Sequence, residues 1–111
     1  MQINKTKQQD VVIWRINGDI DINSSPEIKK AFDELTKSEE KKMVIDLKDV
    51  SYIDSSGLAT LVEVLKKTKS YGGGLKLSNL AEKVKGLFEI TKLEKIFEIH
   101  NTAEEAIASF S

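Results

Sequence analysis

Between residues 42 and 65 the hydrophobic period changes, and this restricts the fold more than any other feature of the chain. In KMVIDLK, 42–48, Met43, Ile45 and Leu47 share one face while Val44 and Asp46 share the other, as on a central strand. Past a polar joint, Leu58, Leu61, Val62 and Leu65 recur at i, i+3, i+4 and i+7 and form one apolar helical face for a sheet. A strand that feeds such a helix is half of a β-α-β unit.

The same alternation extends outward. INKTKQ, 3–8, reads as a polar edge strand, Gln9-Asp10 as a turn, and VVIWRIN, 11–17, as a firm strand, so the pair forms a hairpin. After the loop GDIDIN, Ser24 with Glu27 fits a capping box and Ser25-Pro26 fits a cap followed by proline. Ile28, Ala31, Phe32 and Leu35 continue that helix, which stops in KSEEK before position 41. Gly72-Gly73-Gly74 stops the second helix, and Leu75 and Leu77 mark a short strand. Asn79 with Glu82 caps a helix carrying Leu80, Val84, Leu87 and Phe88; KIFEI, 95–99, is the last strand; Thr102 with Glu105 caps a helix with Ala103, Ala106, Ile107 and Phe110 on one face. The expected order is β-β-α-β-α-β-α-β-α: one α/β domain over residues 1–111, with a mixed, mostly parallel sheet and covering helices.

Composition narrows the chemistry. With no cysteine and a single histidine, disulfides, thiolate catalysis and the common zinc centres have no ligands, and neither a metal site nor a cofactor is expected. Seventeen basic against eighteen acidic residues leave no basic field for nucleic acid. No apolar run approaches the roughly 20 residues of a membrane span, and MQINKTKQQD lacks the apolar middle of a signal peptide, so a cytoplasmic protein is expected. A small, nearly neutral domain without a coiled-coil repeat is expected to be a monomer.

Productive surfaces in such sheets lie where strand C-termini meet helix N-termini, and VSYIDSSGL, 50–58, is such a joint. I-D-S-S-G is not the G-x-S-x-G of a hydrolase elbow, and His100 reads as a polar residue at a strand end, so no catalytic residue is assigned. Neither phosphate-binding glycine motif occurs, and the triple glycine follows a helix instead of opening one. Asp21, Asp46 and Asp54 read as solvated or backbone-bonded acids more readily than as magnesium ligands. Asp54, Ser55 and Ser56 are all good N-cap residues, yet one cap suffices. A hydroxyl left over at a helix N-terminus is where a phosphate is well tolerated, because free N–H groups and the helix dipole face it.

Three segments together carry a resemblance: the GDID loop, VIDLKDVSYIDSSGL, and KVKGLFEITKLEKIFEI with the helix after it. On them the chain resembles the anti-sigma factor antagonists, single-domain bacterial members of the STAS family. It departs from some members at Ala59, where they have glycine, a change that favours the helix. The resemblance implies phosphorylation at the serine directly after the Asp, which is Ser55 here. It also implies a partner surface of Asp21, Asp54, Ser55, Ser56 and Gly57, with the Asp21 loop beside Ser55. The implied partners are an anti-sigma factor that is also a serine kinase, supplying ATP and magnesium, and a phosphatase that restores the hydroxyl. The alternative role in the family is a scaffold or regulatory subunit of a signalling or lipid-transport complex. From the residues alone, Asp21 fits an Asx turn equally well, Val64 reads as a partly exposed valine off the apolar stripe, and Trp14 as core.

Overall fold

Gln9 and Asp10 both take left-handed backbone angles, φ 53° and 65°, the conformation of a two-residue hairpin turn whose twist suits the flanking strands. They join β1 (Gln2–Gln8) to β2 (Val11–Asn17), with Gln8 opposite Val11. The computed structural model describes residues 1–110, so the last residue of the expected domain lies outside the described residues. After the hairpin come α1 (Ser25–Lys37), β3 (Lys42–Asp49), α2 (Ser55–Ser70), β4 (Gly74–Ser78), α3 (Glu82–Ile90), β5 (Glu98–His100) and α4 (Ala103–Ala108). The sheet runs β1-β2-β3-β4-β5, antiparallel between β1 and β2 and parallel in every later pairing.

β3 sits at the centre, and its two faces feed two cores. Met43, Ile45 and Leu47 join Trp14, Ile16, Leu75 and Leu77 in the main cluster, under Ile28 and Phe32 of α1, Leu61 and Leu65 of α2, and Val84 and Phe88 of α3. Trp14 is buried and stacks on Phe32 with ring centroids 4.4 Å apart. On the other face Val44 packs with Val11, Ile13, Ala106 and Ile107, so α4 alone closes that side among the described helices. No described helix is long and apolar enough to cross a membrane.

Four local expectations are corrected. Ser24 precedes α1 but does not cap it, because its hydroxyl is taken by the loop, donating to the Asp19 carbonyl at 2.8 Å and accepting from the Asp21 N–H at 3.0 Å. Asn79 does not cap α3 either: it is in the left-handed region, and its amide donates to Asp46 Oδ2 at 3.1 Å. The last strand is three residues long. Lys92 turns left-handed and Leu93–Lys95 coil into a 3-10 turn, which draws Phe97 into edge-on contact with Phe88 before pairing with β4 begins. Val64 is 5% exposed, since α1 packs beside α2 and widens its buried arc beyond one stripe; Lys29 and Glu63 pair across the two helices at 3.5 Å. The cap of α4 forms as expected, Thr102 Oγ1 accepting from the Glu105 N–H at 3.1 Å.

β2 and β3 are parallel neighbours, so the segments leaving their C-terminal ends emerge side by side. Pairing continues past the strands: the N–H of Ile20 donates to the Tyr52 carbonyl at 3.0 Å and that of Asp54 to the Ile20 carbonyl at 3.1 Å. The GDIDIN loop and the VSYIDSSGL joint are therefore one rigid unit.

Candidate functional site

Three residues at the start of α2 qualify as its cap, and the backbone selects Asp54. It has extended angles, φ −96° and ψ −177°, and its Oδ1 accepts from the Gly57 N–H at 2.9 Å. The other oxygen, Oδ2, accepts from the N–H of Ile22 at 3.1 Å. One carboxylate thus closes the helix end and fastens the neighbouring loop to it. Asp54 is first of all a clamp, and its negative charge stays at the helix N-terminus, where the dipole favours it.

With the cap taken, Ser55 is free. It is the first residue of α2, is exposed, and its hydroxyl makes no hydrogen bond to another described residue. Ser56 is half-buried, one step further into the helix, where its carbonyl accepts from Thr60 Oγ1 at 3.0 Å. The two hydroxyls that the sequence leaves equivalent as caps are therefore unequal in reach.

Gly57 is buried, and a Cβ built on it would lie 2.3 Å from the carbonyl oxygen of Ile20 and 2.9 Å from Ile53 Cγ2. Only hydrogen fits there, because the Ile20 backbone crosses against the first turn of α2. Gly57 acts by letting loop and helix touch, and being buried it offers a partner little surface.

Asp21 is on that loop. Its Oδ1 accepts from the N–H groups of Asn23 at 3.0 Å and Ser24 at 3.1 Å, an Asx turn, while Ser25 Oγ donates to its carbonyl at 2.7 Å. Asp21 immediately precedes Ile22, whose N–H Asp54 holds, so the Asp21 turn and the Asp54-Ser55 start of α2 are tied into one rim. Two residues of this rim have no counterpart in the sequence reading: Ile22 and Tyr52 are 68% and 52% exposed. Both loops also carry apolar residues that the core buries, Ile20 in one and Val50 and Ile53 in the other, so the sequence did not single these two out.

The remaining candidates lie elsewhere. Asp46 is buried and fully engaged by Arg15 at 3.2 Å, the Asn79 amide at 3.1 Å and the N–H of Lys48 at 2.9 Å. Among the described residues no cluster of acids or histidine could hold a metal ion. His100 ends β5, two strands from β3 and so roughly 10 Å across the sheet, and its Nε2 lies 2.6 Å from Glu98 Oε2. Hydrogen bonds from His100 and then Lys76 hold the Glu98 carboxyl at about 2.

The STAS domain family model matches residues 2–106. The anti-sigma-B factor antagonist of Bacillus subtilis is 38% identical over 110 residues, 96% of this chain and 99% of that one. The crystal structure of TM1081 from Thermotoga maritima superposes with a TM-score of 0.92 at 33% identity, over 96% of this chain and 92% of that one. The phosphorylated form of the Bacillus cell fate determinant SpoIIAA has a TM-score of 0.76 over 99% of this chain and 100% of its own, and at 18% identity the likeness is one of fold.

Proposed function

The chain belongs to the STAS domain family, and from that footing we propose that it is an anti-sigma factor antagonist: it binds an anti-sigma factor, so that a sigma factor is released, and phosphorylation at Ser55 switches it off. The partner is itself a serine kinase that supplies ATP and magnesium, a separate phosphatase resets the switch, and the antagonist works as a cytoplasmic monomer. The observation that carries the reading is the exposed, unbonded Ser55 hydroxyl on a helix already capped by its neighbour.

In the switching step the Ser55 oxygen attacks the γ-phosphorus of ATP. The bond from that phosphorus to the β,γ-bridging oxygen breaks, ADP leaves, and the hydroxyl proton passes to a base of the kinase or to solvent. In the resetting step water attacks the phosphoserine and releases inorganic phosphate. The antagonist contributes position: Asp54 and Gly57 hold the first turn of α2 against the Ile20 loop, so the hydroxyl stands on a fixed platform.

A phosphoserine brings about −1.5 to −2 charges at pH 7, beside Asp54 and near Asp21. Both acids are present in the free protein too, so their repulsion opposes binding only by the amount it grows when the partner excludes water. At roughly 6 Å a pair of unit charges costs about 0.7 kcal/mol in bulk water and about 2 to 3 kcal/mol at an effective dielectric near 20. In an interface that also excludes the phosphate sterically, this weakens binding on the order of a hundredfold or more. A helix N-terminus stabilises an anion by about 0.3 to 1 kcal/mol, which offsets the water-screened repulsion in the free protein, so the helix is kept while the interface loses.

The test is to incubate the protein with its candidate kinase, ATP and magnesium and to map the phosphate by mass spectrometry. Label on Ser55, absent from Ser55→Ala, is the expected result. Label on Ser56 moves the site, and no label under turnover rejects the reading.

A further inference from the structure

We propose that Ile22 and Tyr52 are the apolar anchors by which the kinase grips this protein while it modifies Ser55, seated in an apolar recess beside the kinase's nucleotide site. The inference rests on the function proposed above and names residues that it does not supply.

Both side chains are large, apolar in bulk and exposed at 68% and 52%, whereas their neighbours in sequence Ile20 and Ile53 are buried. Ile20 and Ile53, bridged to each other, anchor loop and joint to the core, while Ile22 and Tyr52 stay exposed beside them. Isolated exposed apolar residues need no explanation, but these two are fastened to one structure. The N–H of Ile22 is bound to Asp54 Oδ2 at 3.1 Å, and the carbonyl of Tyr52 accepts from the N–H of Ile20 at 3.0 Å. Their backbones are therefore ordered before any partner arrives, which lowers the entropy lost on docking. Tyrosine in particular offers a large contact area with few rotors and is enriched among energetically dominant interface residues.

The occupant follows from contiguity. Ser55 Oγ must come within bonding distance of the γ-phosphorus, so the kinase has to cover what flanks Ser55. Asp54, the residue before Ser55, is hydrogen bonded to Ile22, and Tyr52 is three residues from Ser55 on the same joint. Ile90, 80% exposed and the last residue of α3, has no hydrogen bond to the joint among the described residues, which makes it the natural control.

The experiment measures steady-state phosphorylation of Ser55 by the kinase with ATP and magnesium for wild type, Ile22→Ala, Tyr52→Ala, Tyr52→Phe and Ile90→Ala. All variants are first shown to share the wild-type circular dichroism spectrum and melting curve. Ile22→Ala and Tyr52→Ala are expected to raise KM by about fivefold to thirtyfold each, with kcat within about twofold. Tyr52→Phe and Ile90→Ala stay at the wild-type KM. Wild-type KM in both alanine variants, with Ser55 still labelled, overturns the anchors and leaves the proposed function standing. A fall in kcat at unchanged KM also overturns them, because it assigns the residues to chemistry instead of grip. No label on wild-type Ser55 overturns both.

Discussion

Asp54 uses both carboxylate oxygens on backbone N–H groups, one in α2 and one in the Ile22 loop. Replacing it with alanine removes the helix cap and the strap together and is expected to destabilise the domain by about 1–2 kcal/mol. Hydrogen exchange should quicken at the Gly57 and Ile22 amides before it does elsewhere. Gly57→Ala is more severe. A methyl group 2.3 Å from the Ile20 carbonyl oxygen forces loop and helix apart, and the expected loss is about 3 kcal/mol or more by urea denaturation. Wild-type stability in Gly57→Ala would mean that loop and helix do not meet as described. Sequence reasoning left Asp54, Ser55 and Ser56 as equal candidates for the cap, because propensity ranks residue types and not positions. Separating them took the extended φ and ψ of Asp54 and a loop 32 residues upstream in the chain, and neither is encoded locally.

Among the elements, the central strand and α2 were legible because their hydrophobic periods are strong and β3 is buried on both faces. Where local signals misled, a partner outside the helix in question had claimed the residue. Ser24 is engaged by Asp19 and Asp21, Asn79 by Asp46, and Val64 by the packing of α1 beside α2. Val64→Ala accordingly is expected to cost about 1–3 kcal/mol in a thermal or urea melt, against the half kcal/mol or less of a surface substitution. The C-terminal helix is held by a polar cluster: Lys76 Nζ lies 2.9 Å from Glu98 Oε2 and 2.5 Å from Ser109 Oγ, and 4.1 Å from the centre of the Phe110 ring. Because the folded Glu98 carboxyl titrates at about 2, below its ordinary 4.5, its ionisation favours the fold. That contribution is complete above pH 4.5 and is lost as the pH falls towards 2. Glu98→Gln should flatten the pH dependence of stability in that window, and an unchanged profile would show that the cluster does not hold the charge.

For the whole molecule, the arrangement separates signalling from folding. The core is closed by α1, α2 and α3 on one face of the sheet and α4 on the other, while Ser55, Asp54, Asp21, Ile22 and Tyr52 occupy a rim at the C-terminal ends of β2 and β3. A charge added on that rim has no buried contact to break. Ser55→Asp is therefore expected to keep the circular dichroism spectrum and melting temperature of the wild type while losing affinity for the partner, and Ser55→Ala to bind without being switched off. The central claim is tested most directly by titrating the kinase, without ATP, against unmodified and Ser55-phosphorylated protein. The account predicts a Kd at least about a hundredfold weaker for the phosphorylated form, with an unchanged circular dichroism spectrum. Equal affinities, or a loss of affinity that accompanies loss of helix, would contradict it.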